Sequence, residues 1–373
     1  MEGMMCRFEI DKSSVVEWRW IVDDLKSIPS VVSGLVFEEG SCEEVEELIV
    51  NEDEWENVRS IEVRRKGLRG VKSVRLNGLN GLELLRIESG GLLNVERIEI
   101  GSNSLNGGIE FDLGEDVLKN VKSIEIGSNS LTTVPEQSLD LSRFEESERI
   151  VIESNSMNGF VNMTMNGLNE LSEFEIGSGS LNMIEWIEIG SNSLNSLSSF
   201  DMSRFVNMRR LLIGYGSLSR IESLRLNGLE MMEVGLGSLR EVSIVEIGSN
   251  SLNSEDFDTL DLSQFQNLKR FEVGSSSLRS VGNLTMNGLN ELVELSIGSG
   301  SLNGVENVII GSDSLNSISS LDFRPLSSVR RIEIGSRSLN NATTVTLDGL
   351  NNLESIVIGE QSLRKVREYA LIE

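Results

Sequence analysis

An eleven-residue segment recurs along this chain and constrains its fold more than any other feature. In the copy Val121–Leu131, apolar residues stand at positions 121, 124, 126 and 131, and a Gly-Ser-Asn turn follows Ile126. Because successive side chains of a strand point to opposite faces, Ile124 and Ile126 share one face and Glu125 points to the other. The segment therefore predicts a short strand and a turn, which together make half of one coil in a stacked array.

The spacing of these segments predicts the architecture. From Leu35 to Tyr369 the paired apolar residues return at intervals that are mostly 13 or 11 residues, so two intervals span about 24, the length of a solenoid coil. We therefore expect an all-β solenoid over residues 32–373, with 28 strands in about 14 coils and two strands in each coil. Inward residues should include Ile124, Ile126, Leu131, Ile187, Ile189, Leu194, Ile332 and Ile334.

A longer period of about 61 residues is superimposed on the coils, and the strands at positions 174, 234, 295 and 356 begin equivalent blocks. Each block holds five half-coils, which is an odd number, so equivalent residues of successive blocks should lie on opposite faces. Some half-coils end in Asn-Gly-Leu, as at Asn77–Leu79, and others in Ser-Arg-Phe, as at Ser142–Phe144. The Asn-Gly pairs predict tight turns with a positive φ at the glycine.

Residues 1–31 do not follow the repeat and are expected to form an N-terminal cap. Ser13 or Ser14 is a suitable helix N-cap, Val15–Leu25 has the composition of a short helix, and Pro29 ends it. Such a helix would cover the open apolar end of the first coil. A helix that binds a membrane or a partner is the alternative.

The repeated segment resembles the leucine-rich repeat. Val95–Leu105, Val121–Leu131 and Val242–Leu252 match the consensus L-x-x-L-x-L-x-x-N-x-L, with Val or Ile at several of the leucine positions. The paired half-coils and the Ile-Gly-x-x-Ser-Leu ending are similar to the BspA-like subclass, whose repeats have a strand on each side of the coil. The resemblance implies an interaction or adhesion module.

The chain departs from this consensus at the asparagine. The position holds Asn103 and Asn129 but also Lys66 and Arg337, and a buried ladder of amides would not accept lysine or arginine. Serine is more constant at the residue before the closing leucine. We therefore expect an inward serine column whose hydroxyls bind backbone groups of the turns, made of Ser104, Ser130, Ser180, Ser193, Ser217, Ser251, Ser277, Ser301, Ser314, Ser338 and Ser362.

Composition argues against several kinds of function. The 373 residues contain no histidine, which excludes histidine acid–base catalysis, Ser-His triads and histidine-bound metals. We expect no enzyme, no metal and no cofactor. A formal charge of −26 disfavours nucleic acid and anionic membranes and favours a basic protein partner. No apolar run approaches the ~20 residues of a membrane span and the N-terminus lacks a signal-peptide pattern, so we expect a cytoplasmic protein.

Two charged surfaces are candidate partner-binding sites. If alternate strands share a face, Glu99 lies beside Glu125 and Glu246 beside Glu272, and these stacked acids either point into water or attract a cation or basic ligand. The second surface is the basic run Arg64, Arg65 and Lys66, which follows an acidic stretch. Its charges either offset those of neighbouring coils or form a docking end.

The expected function is that of a non-catalytic protein-binding scaffold, in which flat, acidic solenoid faces present rows of side chains to a partner. The alternative is a structural or self-assembling element. Residues 345–373 motivate it, because no capping helix follows the last coil. We expect either that the chain is a fragment of a longer repeat protein or that the exposed strand edge of residues 345–373 pairs with another chain.

Overall fold

The computed structural model describes residues 19–21, 33–39, 45–51, 57–114, 117–133, 137–366 and 368–370. In these residues the secondary structure consists of 28 short strands and one turn of 3-10 helix at Met202–Arg204. The chain divides into two compact units, unit 1 (Met1–Ile184) and unit 2 (Glu185–Glu373).

Unit 1 is a stack of parallel strands that alternate between two sheets. The strands are β1 (Arg19–Ile21), β2 (Gly34–Phe37), β3 (Glu47–Asn51), β4 (Ser60–Val63), β5 (Ser73–Asn77), β6 (Leu84–Ile87), β7 (Arg97–Ile100), β8 (Glu110–Leu113), β9 (Ser123–Ile126), β10 (Gln137–Asp140), β11 (Arg149–Ile152), β12 (Phe160–Met165) and β13 (Glu173–Ile176). One sheet has the order β1-β2-β4-β6-β8 and the other β3-β5-β7-β9-β11-β13, while β10 pairs with β12. Consecutive strands thus lie on opposite sides of a coil.

Unit 2 is built in the same way. Its strands are β14 (Trp186–Ile189), β15 (Arg210–Ile213), β16 (Ser223–Leu226), β17 (Met231–Val234), β18 (Ile244–Ile247), β19 (Thr259–Asp261), β20 (Arg270–Val273), β21 (Asn283–Met286), β22 (Glu294–Ile297), β23 (Asn307–Ile310), β24 (Ser320–Asp322), β25 (Arg331–Ile334), β26 (Thr344–Thr346), β27 (Ser355–Ile358) and β28 (Glu368–Ala370). Strands β14, β15 and β17 pair in that order. The other sheets have the orders β16-β18-β20-β22, β19-β21-β23-β25-β27 and β24-β26-β28. The fold is therefore a leucine-rich-repeat-like β-solenoid, and its number of coils agrees with the expectation to within about one.

The 61-residue blocks appear in the structure as interruptions of the sheets. By alternation β8 should pair with β10, β17 with β19, and β22 with β24, but the strands of each pair belong to different sheets. The half-coil after each interruption turns sharply at an aspartate, which accepts a hydrogen bond from the backbone N–H two residues later, as in Asp140 to Ser142, Asp261 to Ser263 and Asp322 to Arg324. In unit 2 the two interruptions fall on opposite sides of the coil, as an odd number of half-coils requires.

Two expected elements differ in the structure. The half-coil around Phe200 has no strand, because Asp201 caps a 3-10 turn at Met202–Arg204 by accepting the N–H of Ser203. Arg19–Ile21, which we expected to be helical, is a strand in register with β2, Trp20 opposite Leu35. The edge of β2 offers unpaired N–H and C=O groups, and a strand satisfies them where a helix does not. The other residues of the expected cap, 1–18 and 22–31, lie outside the described residues.

The inward-facing residues predicted from the repeat are confirmed. Each of the eight is at most 6% exposed: Ile124, Ile126, Leu131, Ile187, Ile189, Leu194, Ile332 and Ile334. Their alternation with half-buried or exposed polar residues, as in Ser123-Ile124-Glu125-Ile126, follows the period of two of a strand with one buried face.

The serine column is also confirmed, and it stabilises the turns through a specific hydrogen-bond chain. Ser130 is fully buried; its Oγ donates to the carbonyl of Gly101 at 2.7 Å and accepts the N–H of Ser104 at 3.1 Å. Ser156 and Ser238, absent from the expected set, belong to the column as well, whereas Ser362 is only half-buried. Each hydroxyl therefore satisfies a backbone donor and a backbone acceptor that would otherwise be buried without partners.

The consensus asparagine position is exposed, and its backbone is left-handed. Asn129 has a φ of 56°, and Lys66 and Arg337 occupy the same position with a φ of 58°. All three side chains are exposed, so the position selects for tolerance of positive φ and not for burial. The Asn-Gly turns are confirmed in the same terms, with φ of 72° at Gly78 and 70° at Gly288.

Candidate functional site

The acids predicted to stack in unit 1 do lie side by side. Glu99 is in register with Glu125 on the outward face of β7 and β9. Arginines flank both carboxylates: Arg75 lies 2.9 Å and Arg97 3.4 Å from Glu99, while Arg97 and Arg149 both pair with Glu125. The two acids therefore belong to an alternating ion-pair network and do not form an uncompensated acidic row.

The second pair of acids, in unit 2, has the same arrangement. Glu246 and Glu272 are in register on β18 and β20. Arg225 lies 2.8 Å from Glu246, and Arg270 pairs with Glu272 along the same strand. Sequence reasoning missed these partners because it aligned the acids alone, although Arg225 is in register with Glu246 on the adjacent strand. Among the described residues no group of three or more Asp, Glu or Cys is arranged to hold a metal ion.

The basic run of unit 1 is also compensated by adjacent coils. Arg64 Nη1 lies 2.9 Å from Glu88 and its Nη2 lies 3.2 Å from Glu62, while the backbone N–H of Arg65 donates to Glu88 at 3.0 Å. Lys66 lies 3.8 Å from Glu39. Of the two interpretations of this run, the contacts favour mutual compensation between coils over a free docking end.

We expect the pKa of Glu88 to depend on Arg64 and not on the side chain of Arg65. The hydrogen bond from Arg64 lowers the pKa of Glu88 below its ordinary value, and the backbone N–H of Arg65 adds to that effect. Because the pKa is lower in the folded state, the pair stabilises the fold above the unfolded pKa of glutamate, and this contribution is lost as pH falls through the folded pKa.

The measurement is an NMR titration of the Glu88 side-chain carboxyl in three proteins. Arg64→Gln should raise the midpoint toward the ordinary glutamate value, whereas Arg65→Gln, which keeps the backbone donor, should leave it in place. Equal midpoints in Arg64→Gln and the wild type would contradict the assignment.

An exposed cluster of aromatic and apolar side chains distinguishes one part of unit 2. On the outward faces of β14, β15 and β17, Trp186, Arg210 and Met231 are in register, and the Arg210 guanidinium carbon lies 5.1 Å from the centre of the Trp186 ring. In the turns of the same coils, Tyr215 is 56% and Leu236 74% exposed. We call Trp186, Arg210, Leu212, Tyr215, Met231 and Leu236 the aromatic patch.

Sequence reasoning missed the aromatic patch, although a signal was present. The residue after the turn glycine is serine in most copies, such as Ser191, Ser249 and Ser275, but Tyr215 and Leu236 replace it in two consecutive coils. A search for departures from the repeat, and not for its regularities, would have found the site. The close stacking of the coils brings the two together: the Tyr215 carbonyl accepts the N–H of Asn192, and that of Leu236 the N–H of Gly216.

A second feature, in unit 1, is a cavity of about 450 Å³ between the two sheets. Inward side chains of successive coils line it, among them Leu85, Ile98, Phe111 and Leu139, and these four are only half-buried. Inward residues at comparable strand positions in unit 2 are at most 4% exposed: Leu211, Leu224, Leu260, Leu284 and Val308. In the described part of unit 2, inward strand residues lose burial only in β17, β22 and β27, each of which ends a sheet.

The size of this cavity sets it apart from ordinary packing defects. The cavity is partly open to solvent, so it is not an enclosed gap in the core. Ligand pockets of proteins span ~300–1,000 Å³ and combine apolar walls with a few polar groups. The cavity is therefore a candidate ligand site.

Polar groups line the cavity where the pairing of β8 and β10 is interrupted. Asp112 pairs with Arg86 at 2.6 Å, and Asp140 accepts the N–H of Ser142 at 2.9 Å. Arg143 is half-buried, and among the residues that the structure describes no carboxylate lies within ion-pair distance of it. It is the one base in the described lining.

Comparisons with known proteins do not identify a family for this chain. No family model matches the chain, and no curated protein matches it. Among solved structures, an internalin from Listeria monocytogenes is 12% identical, covers 89% of this chain and 88% of its own, and has a TM-score of 0.17. So low a score carries no argument, and the assignment as a leucine-rich-repeat-like protein rests on the consensus and the strand register.

Within the described ranges no helix has the length and apolar character that crossing a bilayer requires.

Proposed function

We propose that the chain is a non-catalytic protein-binding scaffold of the BspA-like type, and that the aromatic patch of unit 2 is its main contact surface. One observation carries the proposal: Trp186 and Arg210 stack on a parallel sheet. The strand position of Trp186 is polar in most other strands, where it holds arginine, serine, glutamate or asparagine. Binding energy at protein interfaces concentrates in exposed Trp, Tyr and Arg side chains that become buried on association. Strand positions fix these side chains before binding, which lowers the entropic cost.

The acidic columns have a supporting role in this proposal. Glu99, Glu125, Glu246 and Glu272 already interact with arginines, and burying such pairs in an interface would cost desolvation energy without new partners. The net charge of −26 acts at longer range, because it raises the association rate with a basic partner. We therefore propose a partner with an apolar contact site surrounded by basic residues.

The test compares three versions of the full chain in affinity capture from extracts of the source cells, with quantitative mass spectrometry. The patch variant is Trp186→Ala with Leu236→Ser, and the control variant is Val293→Ser with Ile309→Ser, which removes two exposed apolar residues elsewhere in unit 2. A specific partner of the wild type should lose about thirtyfold or more in affinity for the patch variant and remain bound to the control. Equal retention by all three proteins, or equal loss from both variants, would contradict the proposal.

Self-assembly is the second candidate, and the exposure of β27 favours it. Ile356, Val357 and Ile358 are 37%, 49% and 50% exposed, and β27 hydrogen-bonds to β25 alone among the described strands. Static light scattering of the same preparations separates the two functions. A molar mass that rises with concentration, and falls to that of a monomer in Ile358→Lys, supports stacking through residues 345–373, because a charge on an edge strand blocks pairing.

A further inference from the structure

The cavity of unit 1 is elongated along the stack of coils. Its lining begins at Phe37 and Leu48, continues through Leu85 and Ile98, and extends to Ile150. Four coil-to-coil steps separate the first residues from the last, which at ~4.8 Å per step gives a length of roughly 19 Å. A space that is long, narrow and walled by aliphatic side chains matches a linear hydrocarbon chain better than a compact ring system.

We propose that unit 1 binds a linear amphiphile with a single carboxylate, a fatty acid or a molecule of that class, with its hydrocarbon chain between the sheets and its carboxylate on Arg143. This site is independent of the aromatic patch, which lies in unit 2. The hydrocarbon chain replaces the missing packing at Leu85, Ile98 and Leu139. The carboxylate supplies the partner that Arg143 lacks among the described residues.

A comparison within the chain supports the assignment of Arg143 to an anion. The half-coils at Asp140–Phe144 and Asp201–Phe205 share the sequence Asp-x-Ser-Arg-Phe. In unit 2 the arginine of this motif, Arg204, pairs with Asp201 at 3.1 Å. In unit 1 Asp140 accepts the equivalent backbone hydrogen bond, from Ser142, but Arg143 lines the cavity and forms no ion pair with a described residue. The arginine of the motif therefore forms an internal ion pair in unit 2, where the core is packed. In unit 1, beside the cavity, it forms no ion pair with a described residue.

The chemistry of the lining selects an acid over other amphiphiles. Arg143 is the one base in the described lining, and Asp112 is already paired with Arg86 at 2.6 Å, so the guanidinium of Arg143 favours an anionic head group. A neutral head group would leave the guanidinium without a charge partner. A carboxylate matches the paired donors of arginine and forms charge-assisted hydrogen bonds with them.

The experiment is isothermal titration of the delipidated full chain with laurate and with dodecanol, its uncharged counterpart. The wild type should bind one laurate, about tenfold or more tighter than dodecanol, because hydrogen bonds to a charged group add to the apolar burial. Arg143→Gln should remove this preference. Arg204→Gln, the matched change at the paired arginine of unit 2, should keep it.

A second variant tests whether the ligand enters the cavity. Leu139→Trp should fill part of the space and abolish laurate binding, with a melting temperature equal to or above that of the ligand-free wild type, which shows that the variant is folded. Three outcomes would overturn the proposal: no saturable binding of laurate, equal affinity of the wild type for laurate and dodecanol, or unchanged laurate binding in folded Leu139→Trp. None of them bears on the aromatic patch.

Discussion

Replacing Ser130 with lysine is expected to lower the free energy of unfolding by about 3 kcal/mol or more, whereas Asn129→Lys, one residue earlier, is expected to cost less than about 1 kcal/mol. Ser130 is fully buried, and its hydroxyl joins the Gly101 carbonyl to the Ser104 N–H. A lysine there would remove both hydrogen bonds and place an ammonium group in the turn without a partner. Overpacking would add to the cost.

Position 129 is expected to tolerate lysine because another coil of the same chain already has lysine at the equivalent position. Asn129 is exposed with a φ of 56°, and Lys66 already occupies the equivalent position with a φ of 58°. The cost of the variant is therefore limited to an exposed hydrogen bond of 3.3 Å from the Asn155 amide to Asn129 Oδ1 and to the modest preference of asparagine over lysine for left-handed backbone.

Chemical denaturation of the wild type, Ser130→Lys, Asn129→Lys and Ser130→Ala gives the comparison. Ser130→Ala serves as the matched control, because it removes the hydroxyl without adding charge and should fall between the other two. Equal losses in the two lysine variants would show that the asparagine side chain is as buried as the serine, as in a classical asparagine ladder.

The serine column illustrates what sequence alone predicts well in a repeat protein. Each position of the repeat occurs many times in the chain. The buried position, which holds serine in nearly every coil, can therefore be distinguished from the exposed position, which accepts Asn, Lys, Arg and Gly. The same repetition located the strands, because two-residue alternation recurs at each of them. Side-chain burial followed from those two patterns.

Features that arise from contacts between coils were not predictable in this way. The closing leucines, such as Leu131 with a φ of 53°, adopt a backbone that their residue type does not favour, and stacking of the adjacent coils imposes it. The hydrogen bond from the Leu131 N–H to the Ser104 carbonyl holds the conformation. Local propensity contains no signal for such a constraint, since it arises from the neighbouring coil.

The candidate sites were likewise predicted only in part. The registers of Glu99 with Glu125 and Glu246 with Glu272 followed from counting. The count considered the acids alone and left out the arginines beside them, although Arg75 and Arg225 are in register with Glu99 and Glu246. The cavity was beyond prediction for another reason. Leu85 and Leu211 occupy similar apolar patterns, and the half-buried state of one and the full burial of the other depend on how the two sheets close around them.

Replacing Gly274 with alanine is expected to destabilise unit 2 by about 3 kcal/mol, well beyond the cost of the same change at Gly288. A Cβ on Gly274 would lie 2.5 Å from the backbone nitrogen of Ser249 and 2.7 Å from the carbonyl carbon of Gly248, both in the preceding coil of the same sheet. Neither atom is able to move alone, because the Gly274 N–H is hydrogen-bonded to the Ile247 carbonyl at 2.6 Å. The coils would have to separate, with loss of the adjoining ladder bonds.

Gly288 provides the control because it isolates the backbone effect. Its φ is 70°, but a Cβ there would meet no atom within 4 Å, so alanine should cost only the left-handed strain of about 1–2 kcal/mol. Thermal denaturation ranks the two variants, and hydrogen exchange of the amides of β18 and β20 shows whether the coils separate where the clash predicts. A larger loss in Gly288→Ala would mean that the turn conformation, and not the close approach of the coils, selects glycine in this repeat.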